Sequence, residues 1–411
     1  MLTIEPRRSR GRRTGRGKLA LALAGGGPLG AFYEIGALHA LSEALDGRDL
    51  TEFDVYVGVS SGSLVAAGLA NGFDTTALGS MFVNDESVLF PFSPATLLRP
   101  ALDEYVRRLA RIPEVLVDIV RQYARDPLGR DWSAGVGSLA RLAPTAIFDN
   151  KPLQRHLHSV FTSAGHTDDF RRLRSQLYVV ATNLNTGESV NFGAPGHDRV
   201  EISRALLASC ALPGLYRSVE IDGEHYVDGA LVRTMHASLA LEAGCDLVIC
   251  INPLVPFDAS HPLSRRRTDL SREGLPVVLG QTFRALIYSR MKIGMATYGS
   301  RFPGADTVLF EPDRHDERLF FANIFRYAER RQLADHAYQR TRRDLLKQSA
   351  ALTPLLERCG LRLNTKMLRD RNRSFSTSAE ERSEYSRRIV RHLDEALQRL
   401  ERMLATPALS G

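Results

Sequence analysis

Paired cysteine spacing is missing from this chain. Its four cysteines, Cys210, Cys245, Cys250 and Cys359, form no disulfide framework. That argues against a secreted disulfide scaffold and for a reducing, cytoplasmic setting. No second Cys or His pair completes a zinc pattern, so neither a metal nor another cofactor is expected. No stretch approaches the roughly 18 apolar residues of a membrane span. Arg12 and Arg13 precede an apolar run from Leu19 to Ala24, but that run is short of the ~7 residues an export signal needs. Cleavage beyond it would also remove the glycines described below, so no signal peptide is expected. No internal repeat is visible. Once one segment is set aside, excess charge is lacking too. The formal net charge is +7, and residues 1–18 hold seven cations (Arg7, Arg8, Arg10, Arg12, Arg13, Arg16, Lys18) against Glu5, hence +6 locally. A basic tail on a near-neutral body suggests attraction to an anionic surface, or simply a solvated extension. No specific nucleic-acid partner is expected.

What is present is ordinary globular material, 44% hydrophobic and 25% charged, enough for a sizeable core. Lys18–Ala24 reads as a buried strand ended by Gly25-Gly26-Gly27-Pro28. A helix should follow from about Gly30 to Leu45, with Phe32, Ile35, Leu38 and Leu41 at helical spacing and Asp46-Gly47 as its stop. Phe53–Val57 is a second strand, Gly58–Gly62 a sharp turn and Ser63–Ala70 a helix of small residues. Such an opening predicts an α/β fold with parallel strands. Later strands are expected at Gln176–Thr182, Ser189–Phe192 and Leu247–Ile251, a hairpin across Ile221–Val227, and helices at Ser203–Ala208 and Ala237–Ala243. After about residue 256 the chain becomes Arg-rich and helical, and Ile389, Leu393, Leu397, Leu400 and Leu404 form one stripe near its end. That stripe suits pairing between subunits or packing on its own domain.

Three motifs carry chemistry. Gly58-Val59-Ser60-Ser61-Gly62 lies between a strand and a helix, the context of a nucleophile elbow. The following helix presents free N–H groups and a positive dipole end to a developing oxyanion. Gly25-Gly26-Gly27-Pro28-Leu29-Gly30 reads as an oxyanion loop built from backbone N–H groups, or as a dinucleotide fingerprint. The second reading wants an acidic residue at the end of the next strand. Asp54 lies near that strand's start and the elbow occupies its end, so the oxyanion reading is favoured. Val227-Asp228-Gly229-Ala230 ends a strand at a turn, where Asp228 is either a turn residue or the base for Ser60. His236, His261 and His315 follow Asp228, so a Ser-Asp-His order is formally available as well.

In this order the motifs resemble the patatin-like phospholipase family. Thr182–Gly187 and Ala208–Pro213 look like the family too, and the resemblance runs from about Leu19 to Ile251. It implies a three-layer α/β fold with a mostly parallel sheet between helices. It also implies hydrolysis of lipid acyl esters, of phospholipase A or lysophospholipase type, through a Ser–Asp dyad without histidine. By position Ser60 is the nucleophile and Asp228 the base. Gly25, Gly26, Gly27 and Gly30 make the oxyanion loop, Gly58 and Gly62 flank the elbow, and Gly229 and Ala230 complete the aspartate motif. Leu29 stands where the family usually has Arg or Lys. Ser63 replaces a common Gly or Ala, and Arg233–His236 lacks the usual Asn and Pro. The expected organisation is a basic flexible tail (1–17), a catalytic domain (18–255) with an amphipathic lid segment (85–145), and a mainly helical region (256–411). Expected partners are a phospholipid substrate, a membrane surface met by the basic tail and residues 88–125, and a second copy of the chain. A lipid-binding scaffold on the same fold and a His-dependent α/β-hydrolase esterase are the competing readings.

Overall fold

The computed structural model describes residues 1–7, 17–84, 99–110, 112–115, 117, 144–260, 269–321 and 329–378. Residues 8–16 of the tail, most of the lid segment, His261 and the 389–404 stripe lie outside these. A nine-stranded mixed sheet organises the described residues. Its strands are β1 (Leu2–Glu5), β2 (Leu19–Leu23), β3 (Val55–Val59), β4 (Gln176–Asn183), β5 (Ser189–Phe192), β6 (Val219–Ile221), β7 (Glu224–Asp228), β8 (Leu247–Ile251) and β9 (Asp306–Phe310). The central strands β9, β8, β2, β3 and β4 are mutually parallel. β1, β5, β6 and β7 pair antiparallel around them.

Strand composition explains the layering. β2 reads Leu-Ala-Leu-Ala-Leu and every residue is buried, as expected for a parallel strand covered on both faces. Successive side chains alternate sides. Leu19, Leu21 and Leu23 pack with helices α1 (Gly27–Ala44), α2 (Ser61–Ala70), α4 (Lys151–Phe161), α5 (Ile202–Ser209) and α8 (Arg330–Lys347). Ala20 and Ala22 meet the other layer, α6 (Ala237–Glu242) and α7 (Leu275–Arg301). A short helix α3 (Leu102–Ala110) lies in the region expected to carry the lid. No helix among the described residues is long and apolar enough to cross a membrane.

Two expectations are corrected. α1 starts at Gly27 rather than at about Gly30, and fifteen of its 18 residues are buried on both faces, Glu34 and His39 among them. The reason is α8, which covers its second face so closely that a Cβ on Gly36 would lie 2.1 Å from the Ala334 carbonyl oxygen. Residues 2–5 are not part of a loose tail, because β1 pairs with β9 in register Leu2–Phe310 to Glu5–Thr307. The mainly helical region after residue 255 also supplies β9 to the sheet, α7 to one outer layer, and α8 with further helices to the other.

Candidate active site

Register brings the two motif ends together. β4 pairs with β3 from Gln176 to Val180, and with β7 from Ala181 to Asn183. Gly58 and Phe192 both pair with Val179, and Asp228 and Val190 both pair with Ala181. With β5 on one edge of β4, strands β3 and β7 must share the other. They run toward each other and stop one β4 residue apart, at Val59 opposite Val180 and Asp228 opposite Ala181. Ser60 therefore emerges against Asp228.

The elbow is strained and tightly folded. Ser60 has φ +51° and ψ −128°, and Asp222 is the other non-glycine residue with positive φ among those described. Such a backbone costs on the order of 1–3 kcal/mol and persists only where its surroundings hold it. The chain turns so sharply that a Cβ on Gly58 would sit 2.3 Å from Ser63 Cα, and one on Gly62 2.5 Å from the Ala24 carbonyl oxygen. Both flanking glycines are thus sterically required. The Ser60 N–H donates to Ser209 Oγ at 2.8 Å, and Ser209 Oγ donates to the Val180 carbonyl at 2.6 Å. Asp228 is anchored similarly: its N–H donates to the Ala211 carbonyl, and its own carbonyl accepts from Thr182 Oγ1 at 3.1 Å. Thr182 and Ser209 belong to the two supporting blocks singled out from sequence, which gives those blocks a physical role.

Ser60 Oγ donates to Asp228 Oδ2 at 2.6 Å, and the Ala230 N–H donates to Oδ1 at 2.8 Å. Both side chains are buried. Burial pushes the Asp228 carboxyl up to about 6, against the opposing pull of the Ser60 and Ala230 hydrogen bonds. A carboxylate in contact with a serine hydroxyl, with a pKa near neutrality, can take that proton without histidine. His236 bonds to Arg233 Nη1, and burial together with that cation lowers its pKa to about 4. His315 lies within 3.7 Å of Asp313. Neither lines the cavity beside Ser60.

The glycine loop is partly engaged within the protein. The Gly25 N–H donates to the Thr234 carbonyl, Gly26 to Ser61 Oγ at 3.0 Å, and Gly30 to the Gly26 carbonyl. Gly27, with φ +62°, opens α1, where an N–H has no intrahelical acceptor. Gly25, Gly26 and Gly27 line the cavity, while Gly30 packs against Pro253 and Ser61. Leu29 is buried in the core. Among the described residues no three His, Cys, Asp or Glu cluster as metal ligands.

The cavity holds about 310 Å³ and exposes Ser60 and Asp228 to mostly apolar walls, including Phe32, Leu64, Phe82, Leu153, Leu212 and Ile287. Asp228 is the acid of this lining and Arg284 its cation. Arg284 sits over the Phe320 ring at 5.2 Å, and burial lowers its pKa to about 10. Sequence reasoning missed Arg284, Phe283 and Ile287, because nothing local in α7 marks it as a wall of a site whose other residues lie well before it, Ser60 and Asp228 among them.

A family model described as patatin-like phospholipase matches residues 21–241. The cGAMP-activated phospholipase of Vibrio cholerae serotype O1 (strain ATCC 39315 / El Tor Inaba N16961) is 25% identical over 227 residues, 52% of this chain and 53% of its own length. The chain thus spans about half the length of that relative. Among solved structures, VipD from Legionella pneumophila aligns over 87% of this chain and 82% of its own at 13% identity and a TM-score of 0.36. ExoU of Pseudomonas aeruginosa, in complex with SpcU, aligns over 84% and 68% at 17% identity and a TM-score of 0.28.

Proposed function

The chain belongs to the patatin-like phospholipase family, and from that premise we propose that it hydrolyses fatty-acyl esters of phospholipids, with Ser60 as nucleophile and Asp228 as general base. The observation that carries this reading is the 2.6 Å hydrogen bond from Ser60 Oγ to Asp228 Oδ2 in the wall of an apolar cavity.

Asp228 accepts the Ser60 proton as Oγ attacks the ester carbonyl. The tetrahedral oxyanion takes hydrogen bonds from the Gly27 N–H and from the Gly26 N–H, which leaves Ser61 Oγ to do so. Each such donor is worth about 3 kcal/mol. Collapse breaks the C–O bond to the glycerol oxygen, and that oxygen leaves with the proton held by Asp228. Water then attacks the acyl-serine with Asp228 again as base, releasing the fatty acid and restoring Ser60. Apolar walls suit an acyl chain. Arg284 gives the lining a cation for the phosphate of a phospholipid, and the name of the V. cholerae relative supports the same substrate class.

Fatty-acid release from a diacyl phospholipid tests the reading. Ser60→Ala and Asp228→Asn should each lower turnover at least about a thousandfold. Wild type without turnover would favour the lipid-binding scaffold instead. Arg284→Met should lower kcat/KM about tenfold on the phospholipid and leave a neutral acylglycerol unaffected; equal loss on both would remove Arg284 from phosphate recognition.

A further inference from the structure

α7 is apolar on two faces, and one of them is uncovered among the described residues. Ile287, Met291, Met295 and Tyr298 face the sheet and are buried. On the opposite side lie Leu275, Leu279, Leu286 and Ile293, whose exposure runs from 48% at Leu279 to 69% at Leu275. At about 100° per residue these four fall within about 40° of one another around the helix. An apolar stripe of this kind on a soluble protein marks a surface that meets something.

Within α7 the charges carry one sign, although the exposed Asp269 and Glu273 lie just before Leu275. From residue 275 to 301 the helix contains Arg284, Arg290, Lys292 and Arg301 and no Asp or Glu. Arg301 is paired with Glu242. Arg290, which reaches the Leu231 carbonyl, is exposed beside the stripe, and Lys292, exposed about 100° further round the helix, lies over the Tyr288 ring at 5.9 Å. Two copies meeting through this face would bring these cations together, whereas an anionic lipid surface complements them. The stripe also adjoins the cavity, since Phe283 is 45% exposed and lines it.

We propose that this face of α7 docks the protein side-on onto an anionic phospholipid bilayer and passes a lipid beside Phe283 into the cavity. The expected membrane contacts, the tail and residues 88–125, lie largely outside the described residues; α7 is a different surface. The proposal rests on reading the cavity as a lipid esterase site.

Sedimentation with vesicles of phosphatidylglycerol and phosphatidylcholine tests it, using Ser60→Ala so that no lipid is consumed. Binding should fall about tenfold or more when Leu279→Asp, Leu286→Asp and Ile293→Asp are combined, and similarly on phosphatidylcholine alone. With Ser60 intact, the triple variant should keep hydrolysis of a soluble short-chain ester and lose that of vesicle lipid. Undiminished binding by the triple variant would overturn the proposal. So would conversion of a dimer to a monomer, or a lowered Tm with binding unchanged, because either result means that protein covers the stripe. Leu286→Trp combined with Trp132→Phe gives a second reading: brominated lipid should quench its fluorescence, and sedimentation without quenching would place the contact elsewhere. If wild type fails on the soluble ester while Ser60→Ala still binds vesicles through α7, the hydrolase reading fails and the docking surface stands.

Discussion

Asp228 faces a conflict that its surroundings only partly resolve. Burial pushes its carboxyl up to about 6, while Ser60 and Ala230 pull it down. In the proposed mechanism the base must be ionised, so kcat/KM should rise with pH to a plateau above an apparent pKa near 6 and fall about tenfold per unit below it. A profile flat from pH 5 to 8 would exclude Asp228 as the base. Linkage gives a second expectation with a definite sign. A carboxyl raised in the fold from 3.8 to about 6 favours folding below pH 4 relative to higher pH, and that contribution is lost as pH rises through 6. Asp228→Asn should therefore be more stable than wild type at pH 8, by up to about 3 kcal/mol, and show no such advantage at pH 3.5. Urea unfolding at the two pH values measures this.

At the scale of elements, α1 shows why a helix next to a site can be read only partly from its own sequence. Its stop was legible in Asp46-Gly47, while its start at Gly27 came earlier than the expected Gly30. The spacing of Phe32, Ile35, Leu38 and Leu41 marks one apolar face, but the other is buried as well, because α8, some 300 residues away, covers it. Two substitutions separate these layers. Gly36→Val forces side-chain atoms against the Ala334 backbone and should cost about 3 kcal/mol or more by urea unfolding; an unchanged midpoint would refute the close contact. Glu34 is fully buried, neither carboxyl oxygen has a hydrogen-bond partner, and desolvation holds its pKa well above the carboxylate range. A raised folded pKa means stability present at low pH and lost as pH rises. Glu34→Gln should therefore gain in Tm over wild type between pH 5 and 8, and a gain at pH 5 that vanishes by pH 8 would reverse the sign.

Across the whole molecule, the site was more legible than its walls. Ser60, Asp228 and the glycine loop sit at strand ends, where spacing and turn chemistry show in a short string. Arg284 and Phe283 join them only through packing of α7 on the sheet, which no local pattern records. The same cause ties the region after residue 255 to the strands before it. β9 pairs with β8 along its full length, and α8 encloses α1. A fragment ending at residue 255 should therefore fail to fold cooperatively, whereas a cooperative melt for residues 1–255 would show the sheet independent of β9.

Labelling with a fluorophosphonate, followed by peptide mapping, shows whether Ser60 is the nucleophile. A single phosphonyl adduct on Ser60 in wild type is expected, absent in Ser60→Ala and strongly slowed in Asp228→Asn. Undiminished labelling of Ser60→Ala, or none of the wild type, would contradict the assignment of Ser60 as nucleophile.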